Sequence, residues 1–212
     1  TKKIIEEFEM SDNIETIWLK ENMGHGHARR VGLDKCKHEL VAIMDSDDIC
    51  VSNRFEKQIE CFKENKKLSI VGSSISEFCT EKLNVIGKRV LPTKDADLKK
   101  ILKIRCPFNH MTVMFKKTEV EKAGGYKDWY HNEDYYLWIR MYLNGSVFSN
   151  LEDVLVYART NVDFYKRRGG WKYFLSEYKL QRFMYSNKIN NFFRCSTNIL
   201  IRFVIQLLLP NY

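Results

Sequence analysis

Leu40-Val41-Ala42-Ile43-Met44 is continuously apolar and runs directly into Asp45-Ser46-Asp47-Asp48. An apolar run without alternation, closed by polar residues, predicts a strand buried on both faces. Working outward, Ile14–Leu19 reads as a short strand, and Asn22-Met23-Gly24-His25-Gly26 as a loop. His27–Cys36 reads as a helix. Downstream, Asn53–Asn65 predicts a helix capped by Asn53, with Phe55, Ile59 and Phe62 on one face. Ser69–Phe78 predicts another strand. Strands and helices in alternation imply an α/β sheet flanked by helices. In such sheets ligands collect beyond the carboxyl ends of the strands, which is where the acidic run lies.

The pattern continues less regularly. Lys2–Phe8 and Asp95–Ile104 read as helices, and His110–Lys116 as a strand. Gly124-Gly125-Tyr126 is a turn, and Glu133–Leu143 is a helix with Leu137 and Met141 inward. Val154–Tyr157 is short and extended. From Gly170 the chain reads as helical, with a break at Lys188–Asn191. The expected organisation is one α/β domain over residues 1–160, with a basic loop and helical extension over 161–212. The first residue is Thr1 and a helix follows at once, so the expectation is a piece of a longer chain.

Composition narrows the function classes. The 212 residues are 44% hydrophobic and 29% charged, sufficient for a domain with a core and unlike a disordered chain. The net charge of +8 suits anionic partners. Lys and Arg crowd between Tyr165 and Arg202, while acidic residues cluster near Asp45 and Glu133. No zinc-finger, RNP-type or basic-zipper pattern occurs, so nucleic acid is not the expected partner. The six cysteines include no C-x-x-C pair, which suits reduced thiols and a cytoplasmic location.

Mg²⁺ and Mn²⁺ take hard oxygen ligands, often one or two carboxylates plus substrate phosphates. Asp45 and Asp47, two residues apart in an extended loop, point in similar directions. Three carboxylates at the tip of one strand are electrostatically costly without a cation, so a cation and diphosphate site is preferred over a solvated acidic loop. A second acidic site, Asn132-Glu133-Asp134, opens the helix at 133–143. It reads equally as an N-cap with acidic residues satisfying the helix dipole, and as a general base kept ionised by that dipole.

Four ordered segments carry a resemblance. They are Lys20-Glu-Asn-Met-Gly-His-Gly-His-Ala-Arg-Arg-Val-Gly-Leu33, then Val41-Ala-Ile-Met-Asp-Ser-Asp-Asp48, then Met114-Phe-Lys-Lys117 leading to Gly124-Gly-Tyr126, and Asn132-Glu-Asp-Tyr-Tyr-Leu-Trp-Ile-Arg140. Together they resemble the family 2 glycosyltransferases of GT-A fold, particularly bacterial enzymes of surface-polysaccharide synthesis, over residues 1–160. The resemblance implies a Rossmann-like mixed sheet flanked by helices. It also implies inverting transfer from a nucleotide-diphosphate sugar to a glycan or lipid-linked hydroxyl, with Mn²⁺ or Mg²⁺ as cofactor. By the same resemblance Asp45 and Asp47, with Asp48 beside them, hold metal and diphosphate. Asp134 is the base, with Glu133 orienting it, and Asn22, Gly24 and Arg29 border the donor. Arg30 departs from the pattern, standing where Asn is usual. The family's first strands have no counterpart after Thr1. The alternative is therefore a non-catalytic carbohydrate- or membrane-associated fragment without a nucleotide pocket. A metal-dependent phosphoryl enzyme is disfavoured because no P-loop or kinase signature occurs.

His25 and His27 lack a third metal ligand. His110 suits either the acceptor side or a structural hydrogen bond. Trp129 and Tyr130, in a loop, could stack on a sugar ring, whereas Trp138 belongs to the core. Arg167-Arg168-Gly169-Gly170-Trp171 reads as a solvated turn or as a lid over the diphosphate. Ile199–Leu209 is strongly apolar but too short to span a bilayer, which takes about 20 residues. With Arg182, Lys188, Arg194 and Arg202 nearby, residues 196–212 are expected to contact a membrane peripherally, at the inner face of the plasma membrane.

Overall fold

The computed structural model describes residues 2–8, 13–79, 84–160 and 169–208. Its sheet is mixed. In chain order the strands are β1 (Leu40–Ala42), β2 (Ile49–Cys50), β3 (Leu68–Phe78), β4 (Val85–Arg89), β5 (Met114–Lys116) and β6 (Val147–Arg159). Their spatial order is β1-β5-β3-β6-β2, and β4 also pairs with β3. β3 runs parallel to β6 along its whole length, from Leu68 opposite Val147 to Phe78 opposite Arg159. Its other edge is antiparallel to β5 at Ile70 and Val71 and to β4 from Ile75 to Phe78. β3 is thus the axis of the domain.

Successive residues of β3 face opposite layers, as a pleated strand requires. Ile70 joins a cluster with Leu98 and Leu102 of α4 (Asp95–Leu102) and with Leu137, Trp138 and Met141 of α6 (Glu133–Leu143). Val71 joins Phe62 of α3 (Arg54–Glu64), Leu68 and Met114 on the other face. Helices therefore cover both faces. The remaining helices are α1 (Lys2–Phe8), α2 (His25–Lys35), α5 (Lys117–Lys122), α7 (Trp171–Ser186) and α8 (Phe192–Phe203), the last running into a π turn at Val204–Leu208. Leu180 and Met184 of α7 belong to the same cluster as Trp138, so α7 shares the core of the sheet. The expected break falls between α7 and α8, where Lys188 has a positive φ of 59°.

Several sequence expectations are corrected. Ile14–Leu19 is not a strand; Ile14, Ile17, Trp18 and Leu19 are exposed, and no described strand pairs with them. Strand propensity is realised only against a partner. β1 is shorter than expected and lies at the sheet edge, with only Val41 buried. His110–Thr112 is a 3₁₀ turn preceding β5, and β6 is longer than the expected Val154–Tyr157.

α3 turns a different face inward from the one its apolar residues suggested. Phe55 and Ile59 are exposed, while Arg54, Gln58 and Phe62 are buried. The cause is the backbone beneath the helix, at Ile43 after β1, Val71 in β3 and Thr112 in the 3₁₀ turn. Arg54 Nη2 donates to Ile43 O at 2.8 Å, and Gln58 Nε2 donates to Thr112 O at 2.8 Å and Val71 O at 3.2 Å. Buried carbonyls need donors, and that requirement outweighs burial of two apolar side chains.

Candidate active site

The acidic run leaves the end of β1 as a turn, with Asp48 N donating to Asp45 O at 3.3 Å. Arg159, the last residue of β6, secures it: its amide donates to Asp48 Oδ1 at 2.8 Å and its Nε to Asp47 O at 3.2 Å. Burial pushes the Asp48 carboxyl up to about 6; the amide of Arg159 opposes this, and the charges of Asp45 and Asp47 add to it. The Asp45 carboxyl is also raised by burial, against the attraction of Arg29 and with repulsion from Asp47. Asp48 Oδ2 is buried without a hydrogen bond. Crowded carboxylates with one unsatisfied oxygen suit a cation. Among the described residues, however, no three His, Cys, Asp or Glu side chains converge to hold one without further ligands.

The second acidic site faces the same space. Asn132, Glu133 and Asp134 open α6, and a cleft of about 640 Å³ is lined by Asp45–Asp48 and by all three of these residues. Glu133 is buried and pairs with Arg29, whose Nη2 also lies 3.9 Å from Asp45 Oδ1. Arg29 therefore ties α2, the β1 tip and the start of α6 together. Asp134 accepts a hydrogen bond from the Tyr135 amide at 2.7 Å, and Cys106 Sγ lies 3.9 Å from its Oδ2.

The entry to α6 is held from below by α7. Asn132 Nδ2 donates to Ser176 Oγ at 3.1 Å, and Ser176 Oγ donates to Tyr130 O at 2.6 Å. Between them His131 adopts a positive φ of 52° and lines the cleft. Left-handed backbone in a non-glycine residue is retained where the surroundings over-determine it.

The other anticipated residues distribute unevenly. Asn22 Oδ1 accepts from Gly24 N at 3.0 Å, and Gly24, with φ 87°, starts α2; neither lines the cleft. His25 lines it, 3.8 Å from Glu133 Oε1, whereas His27 Nδ1 sits 2.8 Å from Arg30 Nη2. His110 is buried in the cleft wall, with its Nε2 3.0 Å from the Tyr126 hydroxyl and its Nδ1 unpartnered. Burial, aided by the charges of Arg29 and His25, pushes its imidazole well below the usual range, so it is neutral. Trp129 and Tyr130 line a separate shallow depression with Lys172. Trp129 packs 4.2 Å from Tyr136, and the Lys172 ammonium lies over Tyr130. Trp138 is fully buried. Arg167 and Arg168 lie outside the described residues.

Sequence reading missed Arg89, Arg105, Arg159 and, as a cleft residue, Arg202. Each is an arginine in a separate element with no local motif.

Comparison with known proteins adds the family context. The profile described as Glycosyl transferase family 2 matches residues 1–120. An amylovoran biosynthesis glycosyltransferase, AmsE of Erwinia amylovora, is 37% identical over 190 residues, covering 90% of this chain and 71% of that protein. A UDP-Gal:α-D-GlcNAc-diphosphoundecaprenol β-1,3-galactosyltransferase of Escherichia coli is 39% identical over 199 residues, covering 92% and 71%. The crystal structure of S. aureus TarS residues 1–349 superposes with a TM-score of 0.65 at 18% identity, which speaks to the fold. That match covers 97% of this chain but only 59% of the TarS chain.

Proposed function

Because the chain belongs to glycosyl transferase family 2, we propose that it forms the transferring part of an inverting enzyme of cell-surface polysaccharide synthesis. The donor is a nucleotide-diphosphate sugar, and the acceptor is a hydroxyl on a glycan or lipid-linked sugar. The observation that carries this reading is the joining of the two acidic sites across one cleft, with Arg29 between Glu133 and Asp45.

In this reading Asp134 accepts the proton of the acceptor hydroxyl. It sits in the first turn of α6, where the helix dipole favours negative charge. The acceptor oxygen bonds to the anomeric carbon as the bond from that carbon to the diphosphate oxygen breaks, and the electron pair leaves with the diphosphate. Glu133, buried and paired with Arg29, fixes the backbone from which Asp134 projects. Asp45 and Asp47, with Asp48 beside them, would hold Mn²⁺ or Mg²⁺. The unsatisfied Asp48 Oδ2 and the raised carboxyls fit such an ion. When bound, it supplies positive charge to the departing diphosphate. His110 contributes a neutral imidazole to the wall, and Arg159 holds the acidic turn in place.

No described helix is long and apolar enough to cross a membrane. For a lipid-linked acceptor, peripheral contact at the inner membrane face through residues 196–208 completes the reading. Asp134→Asn in the intact protein should lower transfer by about 10²–10⁴-fold, while Mn²⁺ and the nucleotide sugar still raise the melting temperature. Asp45→Asn/Asp47→Asn should abolish the Mn²⁺-dependent rise. Parental turnover in Asp134→Asn would remove the base from this account.

A further inference from the structure

α8 buries polar residues while exposing large apolar ones. Its inward positions are polar: Asn198 is buried and its Nδ2 donates to Gln181 Oε1 and to Lys103 O, both at 2.9 Å. Gln206, one turn past the helix, is also buried. Large apolar side chains face outward, with Phe193 78% and Leu200 62% exposed on α8 and Leu208 63% exposed in the π turn after it, beside exposed Arg194, Ser196 and Thr197. Large apolar side chains turned outward among cationic and small polar ones match a lipid interface better than water. Exposed Arg182, Lys188 and Arg194 lie on or beside it, as an anionic lipid surface requires.

One inward residue of α8, Arg202, reaches the cleft. Its Nε is 3.6 Å from Glu177 Oε2, and its Nη2 donates to Ile104 O at 3.2 Å. Ile104 precedes Arg105, which lines the same cleft. Arg105 is exposed, and its side chain makes no ion pair or hydrogen bond among the described residues. The neighbouring cleft arginines are engaged: Arg29 with Glu133, Arg89 with Glu77, Arg159 with Asp47 O. Cys106, which follows Arg105, has its Sγ 3.9 Å from Asp134 Oδ2, and Asp134 lines the same cleft. By contrast, the arginines acting on Asp45 and Asp48 are Arg29 and Arg159.

We propose that Arg105, with Arg202 beside it, forms a subsite for the phosphate groups of a lipid-linked acceptor, where α8 borders the cleft. The guanidinium fork matches phosphate oxygens. The lipid chain then leaves along the apolar face of the helix that carries Arg202. The acceptor sugar lies between this subsite and Asp134. The inference rests on the transferase reading with a lipid-borne acceptor.

The test uses octyl diphosphate, inorganic diphosphate and a nucleotide sugar as separate ligands for the intact protein. Arg105→Ala should weaken octyl diphosphate binding by about tenfold or more, with Arg105→Lys intermediate. The rise in melting temperature with nucleotide sugar and Mn²⁺ should be unchanged. Because Arg105 is exposed and unpartnered, neither variant should unfold. Inorganic diphosphate should bind more weakly than octyl diphosphate, since it lacks the chain. Equal octyl diphosphate binding by parent and Arg105→Ala, or none by the parent, would overturn the subsite. So would loss of nucleotide-sugar binding in Arg105→Ala, which would assign the arginine to the donor. Failure of the parent to bind any nucleotide sugar would instead overturn the transferase reading beneath it.

Discussion

Arg29→Met is the perturbation that probes the site most directly. Arg29 is 21% exposed in its side chain and its partner Glu133 only 7%. Removing one partner of a fully buried pair costs about 3–5 kcal/mol, whereas exposed pairs are worth about 0–1 kcal/mol. Arg29 lies between these limits, so the expected loss of stability is about 2–3 kcal/mol. Methionine retains the apolar stem, so the loss reports the uncompensated carboxylate of Glu133 rather than a cavity. Arg29→Met/Glu133→Gln removes both charges and should recover most of the loss. Urea unfolding of the parent, both single variants and the double variant gives the coupling, provided the dependence on urea stays constant. If Arg29→Met costs less than about 0.5 kcal/mol, or if the two single losses simply add in the double variant, the buried-pair account is wrong.

Three further outcomes are expected. His110 is neutral in the fold because burial lowers its imidazole. The unfolded chain takes up a proton near pH 6.5 and the folded one does not, so stability present above that pH is lost as pH falls. The loss is about 1.4 kcal/mol per pH unit, and His110→Asn should remove it from the pH dependence of urea unfolding. An unchanged dependence would refute this. A Cβ at Gly72 would lie 2.4 Å from Asn150 Oδ1, whose side-chain amide donates to Pro92 O and Pro107 O. Gly72→Ala should therefore destabilise by about 1–3 kcal/mol, with Gly72→Ala/Asn150→Ala less affected than the sum of the single changes; thermal unfolding decides. Leu180 is fully buried among residues of the sheet core. Leu180→Ala should lower stability of the whole domain by about 2–5 kcal/mol in a single transition; a separate early transition confined to α7 and α8 would contradict a shared core.

The mixed sheet flanked by helices was legible because the residues of β3 and α6 carry strong local signals. Eleven residues from Leu68 to Phe78 suit a buried strand, and Glu133–Leu143 repeats its apolar residues at helical spacing. Candidate residues in compact motifs stood out too: Asp45 and Asp47 follow an apolar run, and Glu133 and Asp134 follow an asparagine at the N-cap position, whose side chain bonds Ser176 instead of the helix. Where the sequence misled, the cause lay beyond the local segment. Phe55 and Ile59 made α3 appear apolar on one face, but the carbonyls of Ile43, Val71 and Thr112 required Arg54 and Gln58 instead. Ile14–Leu19 has strand composition but no described strand to pair with.

What the sequence determined alone was therefore most of the helices, the long strand β3 and the acidic residues at two element ends, since propensity and periodicity are properties of neighbouring residues; β2, β4 and α5 left no such signal. What only the tertiary structure decided was that these ends meet. Arg29 comes within reach of Glu133 across 104 positions, and Arg159 holds Asp48 across 111. The outward face of α8 was likewise decided by packing. Ile199–Leu209 reads as the most apolar segment of the chain, yet its Arg202, like Asn198 just before it, turns inward to meet a buried partner. A buried polar group without a partner costs more than an exposed apolar one, and no local pattern in the chain records where those partners are.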